Sequence, residues 1–179
     1  MTELFEKTVS SEQLYDGKVV KLFKDIVELP NGNTSVREIV RHVGAVCVVP
    51  ITDKGEIILV KQFRYPFGRV LLELPAGKLD SPDEDPLEAA KRELSEETGA
   101  SASSFEYLGA YLSTVAIFDE KIHMYLAKGL KMGSSHPDED EFVEVVKMPL
   151  HDAVEMIMDG KIQDGKTQTA ILKVWMKLK

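Results

Sequence analysis

The sequence lacks several features that mark special classes of protein. It has one cysteine among 179 residues, so no disulfide can form within the chain. No apolar run approaches the ~20 residues of a membrane-spanning helix, and the N-terminus has neither the basic start nor the apolar stretch of a signal peptide. We therefore expect a soluble, cytoplasmic protein without a membrane partner. Cys47 lies in an apolar run at residues 43–51 and is expected in the core.

Basic residues are also scarce. The chain has 22 Lys and Arg against 30 Asp and Glu, which gives a net charge of −8, and no basic run. Such an acidic chain is a poor candidate for binding a nucleic-acid backbone, so we expect no nucleic-acid partner. If the protein binds phosphorylated substrates, something other than net charge must attract them. A bound divalent cation would do so.

Alternating and β-branched segments predict many strands and few helices. Residues 17–29 and 34–41 flank a turn signal and predict an antiparallel hairpin. Further strands are predicted at residues 43–51, 56–65, 70–74, 105–112, 121–127 and 142–148. Two late helices are predicted at 150–159 and 167–178, with a polar loop at 131–141. This order predicts an α+β fold, with layers packed around a mixed sheet.

Capping residues predict the two ends of one further helix, between Asp85 and Gly99. Asp85 is a candidate N-cap, Pro86 suits the first helical position, and Gly99 suits a left-handed C-cap. The predicted core-facing stripe has helical spacing and consists of Leu87, Ala90 and Leu94.

The opposite face of this helix carries three carboxylates. Glu93, Glu96 and Glu97 stand at positions i, i+3 and i+4. Like charges at this spacing destabilise a helix, whereas hard oxygen ligands gathered at one point are what Mg²⁺ requires. Because glutamate is also common on solvated helix faces, spacing alone leaves a metal site and a plain solvated surface both open.

The order of residues from Gly77 to Ala100 resembles the Nudix box, G-x5-E-x7-R-E-U-x-E-E-x-G-U, where U is a bulky aliphatic residue. From Glu84 onward the spacing matches, but six residues rather than five separate Gly77 from Glu84. Either the loop bulges by one residue, or Asp83 takes the place of the first Glu. We favour the bulge because Glu84 keeps its distance to Arg92. In the family this pair is a structural tie between loop and helix.

The resemblance extends over most of the chain and points to the ADP-ribose pyrophosphatase branch of the family. The similar segments lie at residues 61–66, 73–78, 84–90, 138–145 and 160–167. The resemblance implies a Nudix fold, in which a mixed sheet is sandwiched between helices as α/β/α, with an N-terminal antiparallel hairpin region. It implies a β-rich dimerisation and nucleoside-binding region at residues 1–42, a Nudix hydrolase domain at residues 43–179, and a homodimer.

The resemblance also implies a metal site. Glu93 and Glu97 would be the principal Mg²⁺ ligands, with Glu96 close by and the Ala76 carbonyl completing the site. Mn²⁺ is a possible substitute for Mg²⁺. Glu97 would therefore be a catalytic residue as well as a metal ligand.

Three further residues receive roles from the same resemblance. Arg64 would bind a substrate phosphate, although an ordinary surface arginine is the alternative. Glu141, or Glu139 next to it, would orient or deprotonate the attacking water. These two stand in a run of acidic residues, 138–141, whose alternative interpretation is a merely solvated loop.

The implied reaction is Mg²⁺-dependent hydrolysis of the pyrophosphate of a nucleoside diphosphate sugar, with ADP-ribose giving AMP and ribose 5-phosphate. The branch has Ser-Pro-Gly after the box, but here Ser113 is followed by Thr and Val. This difference loosens the expected specificity. Glu120 stands where the branch has an acidic residue, so we expect a metal or ribose contact there. The alternatives are another Nudix substrate such as GDP-mannose, and a non-catalytic ligand sensor that would normally lack the box carboxylates.

Overall fold

The computed structural model describes residues 4–136 and 142–179. The strands of this part are β1 (Lys7–Asp16), β2 (Lys21–Glu28), β3 (Thr34–Arg41), β4 (Ala45–Pro50), β5 (Glu56–Arg64), β6 (Arg69–Glu73), β7 (Ala76–Lys78), β8 (Ala100–Leu112), β9 (Lys121–Met132) and β10 (Val143–Pro149). The helices are α1 (Pro86–Thr98), α2 (Leu150–Met158) and α3 (Gly165–Leu178), with a short 3-10 helix at Tyr65–Phe67. Every helix among these residues is too short or too polar to span a bilayer.

The chain divides into two compact units. The first contains the described residues up to His42 together with Leu112–Glu120, and the second contains Val43–Tyr111 and Lys121–Lys179. In the first unit, β1, β2 and β3 form an antiparallel sheet in that order. The predicted hairpin is confirmed as β2 and β3, but β1 was not predicted. Its sequence is mostly polar, its few apolar residues do not alternate regularly, and all ten residues are exposed, so main-chain pairing specifies the strand.

The second unit contains two sheets. Strands β10, β5 and β6 pair in that order as an antiparallel sheet. The other sheet has the order β7-β4-β9-β8, in which β4 runs parallel to β9 and antiparallel to β7. The predicted mixed sheet is therefore confirmed. Strand β7 escaped prediction because three residues are too few to show a period of two.

Helices cover both faces of β4. Val46 and Val48 pack in one buried cluster with Ala90 and Leu94 of α1. Cys47 and its same-face neighbours pack in a second cluster that includes residues of both C-terminal helices, namely Ala153, Ile157, Ala170, Ile171 and Val174. Because alternate residues of a strand point to opposite faces, this division confirms the predicted α/β/α sandwich. Cys47 is fully buried, as expected, and burial raises the pKa of its thiol to about 12.

The box helix begins and ends where its capping residues predict. The Asp85 side chain accepts a hydrogen bond from the Leu87 N–H, and Gly99 adopts φ 68° at the C-cap. Strand β8 begins at once after Gly99, earlier than the predicted residue 105. Strand β9 continues to Met132, into the predicted loop at 131–141. Both extensions mix serine or lysine with a few small or isolated apolar residues such as Ala100, Ala102 and Leu130, which gives only a weak strand pattern.

The packing of α1 yields a prediction about stability. Leu94 is fully buried in the cluster with Val46 and Val48, so Leu94→Ala leaves a cavity and should lower the free energy of unfolding by about 2–5 kcal/mol. The exposed neighbour provides the control, because Ser95→Ala should change it by less than ~0.5 kcal/mol. Urea denaturation of both variants measures the difference. Equal effects would contradict the assigned packing of this helix.

Candidate active site

Residues 73–77, which we call the Glu73–Gly77 segment, lie beside the carboxylates of α1. The Ala76 N–H donates a 3.0 Å hydrogen bond to Oε2 of Glu97. A β-carbon at Gly77 would overlap the Glu93 carboxylate, so glycine is needed for this close approach. Glu93 and Glu97 are only 8% and 2% exposed. The interpretation of this helix face as merely solvated is therefore wrong for these two residues.

Arg92 holds the charged side of the helix together. Its Nη1 lies 2.7 Å from Oε1 of Glu93 and 3.2 Å from Oε2 of Glu96. Its Nη2 donates to the Lys78 carbonyl at 3.2 Å and contacts Oε1 of Glu84 at 3.3 Å. Burial lowers the pKa of Arg92, but the hydrogen bond to Glu93 and the surrounding negative charges outweigh burial and raise it.

The predicted tie between Glu84 and Arg92 is thus confirmed, and with it the bulge interpretation of the extra residue. The Glu84 carboxylate also accepts a 2.6 Å hydrogen bond from the Asp80 N–H, which closes the loop. Asp83 is exposed. The inserted residue is absorbed between Gly77 and Glu84 without moving the first Glu away from its arginine.

A second group of charges, which we call the Arg64 cluster, surrounds the other end of the Glu73–Gly77 segment. Nε and Nη2 of Arg64 donate to the two oxygens of Glu73 at 2.7 and 2.8 Å. Lys166 Nζ lies 2.5 Å from Oε2 of Glu73 and 3.0 Å from Asp164. Asp164 caps α3 by accepting from the Thr167 N–H, and the Thr167 hydroxyl accepts from the Leu74 N–H at 2.9 Å.

Glu73 is the buried member of the Arg64 cluster, and its pKa depends on the surrounding charges. Glu73 is 2% exposed; burial would raise its pKa, but Arg64 and Lys166 lower it to about 2. The hydrogen bond to Glu73 in turn raises the pKa of Arg64. Glu73 and Lys166 both lie in segments that resemble the ADP-ribose pyrophosphatase branch, but the resemblance implied no role for either residue. A pairing between a strand end and a distant helix start has no local sequence signal.

The remaining predicted residues fall elsewhere. Glu120 belongs to the first unit, where it accepts a 2.7 Å hydrogen bond from the Ser113 hydroxyl and lies 3.7 Å from Nδ1 of His42. Glu139 and Glu141 lie outside the described residues. Within residues 4–136 and 142–179, no three acidic, histidine or cysteine side chains are grouped so as to hold a metal ion.

The main chain that leads towards the acidic run lies along the C-terminal end of α1. The Gly133 N–H donates to the Gly99 carbonyl at 2.7 Å, and the His136 N–H donates to the Glu96 carbonyl at 2.9 Å. Carbonyls at a helix C-terminus lack partners within the helix, and these two hydrogen bonds occupy two of them. Residues 133–136 are therefore held against the C-terminal end of α1.

Comparisons with known proteins give two family matches that together cover most of the chain. Residues 40–169 match the NUDIX domain, and residues 6–40 match the nucleoside diphosphate sugar hydrolase N-terminal domain. An ADP-ribose pyrophosphatase of Bacillus subtilis is 45% identical over 99% of this chain and 96% of its own length. A methanol dehydrogenase activator of Bacillus methanolicus is 47% identical over 96% of this chain and 94% of its own. A crystal structure of an ADP compounds hydrolase superposes with a TM-score of 0.85 at 26% identity, covering 97% of this chain and 94% of that one.

The lowered pKa of Glu73 generates a prediction about stability against pH. Its ordinary value is 4.5 and its value in the fold is about 2, so its ionised form stabilises the protein above about pH 4.5. That contribution, about 3 kcal/mol at most, is lost as pH falls from 4.5 towards 2. Glu73→Gln should thus destabilise the protein at neutral pH by an amount that shrinks below pH 4.5. Urea denaturation over this range measures the effect.

The control for this prediction is Glu144→Gln. Glu144 pairs with Lys61 at 2.8 Å on the same sheet, but its side chain is 69% exposed. An exposed pair contributes little, so the variant should follow the wild type at every pH. A constant gap between wild type and Glu73→Gln down to low pH would contradict the assigned ionisation of Glu73.

Proposed function

Because the chain belongs to the NUDIX domain family, we propose that it is a Mg²⁺-dependent hydrolase of nucleoside diphosphate sugars, with ADP-ribose as the preferred substrate and AMP and ribose 5-phosphate as products. The observation that carries this proposal is the buried pair Glu93 and Glu97, packed on the Glu73–Gly77 segment. The similarity to the Bacillus subtilis ADP-ribose pyrophosphatase extends over nearly the whole chain and supports the substrate.

The residues present suit a divalent cation. Glu93 and Glu97 supply hard oxygen donors one helical turn apart, and burial of two carboxylates is costly unless positive charge compensates them. Because Gly77 has no β-carbon, its main chain can lie against the Glu93 carboxylate. Glu93, Glu97 and the Ala76 carbonyl would hold Mg²⁺, or Mn²⁺ in its place, with Glu96 beside them. The bound cation would offset the negative charge of the pyrophosphate and lower the pKa of a bound water.

Protein side chains bind the substrate and accept the proton in the proposed reaction. Arg64 binds an oxygen of the pyrophosphate, which brings positive charge to an acidic protein where the substrate needs it. Glu141, or Glu139, accepts a proton from the attacking water. The water oxygen forms a new bond to one phosphorus while the bridging oxygen leaves with the other phosphate. Comparing kcat of Glu139→Gln with that of Glu141→Gln identifies the base, because only one variant should lose most of its turnover.

The proposal also assigns roles to residues of the first unit. Glu120 contacts the ribose or the metal. Residues 1–42 pair with a second subunit and bind the nucleoside, while residues 43–179 carry the hydrolase activity. The Arg41 guanidinium lies 4.0 Å above the Phe23 ring and 3.1 Å from buried Asp25, which offers a planar cationic surface for a base. The proposed state is a cytoplasmic homodimer, and a monomer in light scattering would contradict the shared site.

A second candidate function comes from the Bacillus methanolicus relative, whose name is methanol dehydrogenase activator. Activation of a dehydrogenase is a different role, although it is compatible with the same hydrolase fold. Adding the purified protein to a methanol dehydrogenase with Mg²⁺ present tests this role directly. A rise in dehydrogenase turnover would support the activator role, and unchanged turnover would exclude it for that dehydrogenase.

The experiment that tests the proposed function is a substrate panel. Release of nucleoside monophosphate from ADP-ribose, GDP-mannose, a flavin dinucleotide and an oxidised nucleotide is followed with Mg²⁺ and with Mn²⁺. We expect kcat/KM to be largest for ADP-ribose, with lower but measurable values for other nucleoside diphosphate sugars. An absence of divalent-cation-dependent hydrolysis across the panel would favour the ligand sensor instead.

Removing one proposed ligand tests the metal assignment. Glu97→Gln keeps the size of the side chain but removes its charge, so kcat should fall by roughly 100-fold or more at saturating Mg²⁺. Glu88→Gln is the control, because Glu88 is exposed on the same helix and pairs with the exposed Lys91. Near-wild-type turnover in Glu97→Gln would refute the assignment, provided circular dichroism shows both variants folded.

A further inference from the structure

Two residues of the Arg64 cluster have no role in the reaction as proposed, namely Glu73 and Lys166. Glu73 holds Arg64 through two roughly parallel hydrogen bonds, at 2.7 and 2.8 Å. Such a paired contact fixes the plane of the guanidinium as well as its position. The contact uses Nε and Nη2, while Nη1 makes no hydrogen bond within the described part of the chain.

The register of β5 and β6 places Glu73 opposite Val60 rather than opposite Arg64. Glu73 pairs with Val60, whereas Arg64 stands four residues further along β5, about 13 Å away along an ideal strand. The arginine must therefore extend back along the sheet face to reach the carboxylate. Holding the arginine in this conformation costs rotamer entropy, which the two hydrogen bonds to Glu73 offset.

Lys166 has a separate effect on the same carboxylate. Its Nζ contacts the Glu73 oxygen that also accepts from Nη2 of Arg64. Glu73 is thereby shared between two cations, so its charge does not fully neutralise Arg64. Lys166 stands in the first turn of α3, which the Thr167 hydroxyl fixes to the main chain at Leu74. The start of α3 therefore holds the Lys166 ammonium beside the Glu73 carboxylate.

We propose that Glu73 is a positioning residue, anchored by Lys166, that holds the Arg64 guanidinium with Nη1 directed at the pyrophosphate of the substrate. This assignment rests on the proposed function. Neither Glu73 nor Lys166 contacts the substrate, since their side chains are 2% and 13% exposed, whereas that of Arg64 is 36% exposed. The advantage is preorganisation, because Arg64 is ordered before the substrate arrives.

A double-mutant cycle tests the proposal. Glu73→Gln, Arg64→Ala and the double variant are compared for binding of α,β-methylene ADP-ribose with Mg²⁺ by calorimetry, and for kcat and KM with ADP-ribose. Glu73→Gln should weaken binding about 10- to 100-fold in the wild-type background. In the Arg64→Ala background it should change binding by less than about 2-fold, since Glu73 acts through Arg64. Equal losses in both backgrounds would overturn the proposal.

Two further variants separate positioning from stability. Glu144→Gln removes an exposed carboxylate on the same sheet and should leave binding unchanged. Glu73→Asp keeps the buried charge but shortens the side chain, so it should fold and bind more weakly than wild type even if Glu73→Gln fails to fold. A lower melting temperature with unchanged binding in either Glu73 variant would assign Glu73 a structural role only.

The outcomes also distinguish this proposal from the proposed function. A wild type that hydrolyses ADP-ribose while the Glu73 variants bind and turn over normally overturns the positioning role alone. A wild type that neither binds the analogue nor hydrolyses any member of the panel overturns both.

Discussion

The hydrogen bond from the Ala76 N–H to the Glu97 carboxylate is the contact on which the site depends. A carboxylate that is 2% exposed is stable only with donors or cations around it, and the main chain of β7 provides one such donor. The same short strand pairs with β4, so the helix and the mixed sheet are joined at the point where the chemistry is proposed. Gly77 permits this approach because it has no side chain to displace Glu93.

Each buried carboxylate around the Glu73–Gly77 segment is matched by a positive or polar group. Arg92 donates a hydrogen bond to Glu93, and the Ala76 N–H donates one to Glu97. Arg64 and Lys166 both donate to Glu73. Under the proposed mechanism, this arrangement lets a chain with a net charge of −8 present the Arg64 guanidinium to a pyrophosphate. The attraction of the anionic substrate would then be local, rather than a result of the overall field of the protein.

Features determined by residues close together in the sequence, such as helix ends and the box loop, could be predicted from the sequence. The caps Asp85 and Gly99 gave the bounds of α1, and the distance from Glu84 to Arg92 gave the correct account of the inserted residue. Strand β1 could not be predicted because its few apolar residues show no regular alternation and its conformation comes from pairing with β2. The Arg64 cluster could not be predicted either, because Glu73 and Lys166 are 93 residues apart in the sequence and come into contact only in the folded chain.

The most direct measurement of the central claim is a crystal structure of the protein with Mn²⁺ and α,β-methylene ADP-ribose, examined by anomalous scattering. We expect an anomalous peak bound by Glu93 and Glu97, with the pyrophosphate between the ion and Arg64. A peak bound only by other residues, or a pyrophosphate without contact to Arg64, would contradict it.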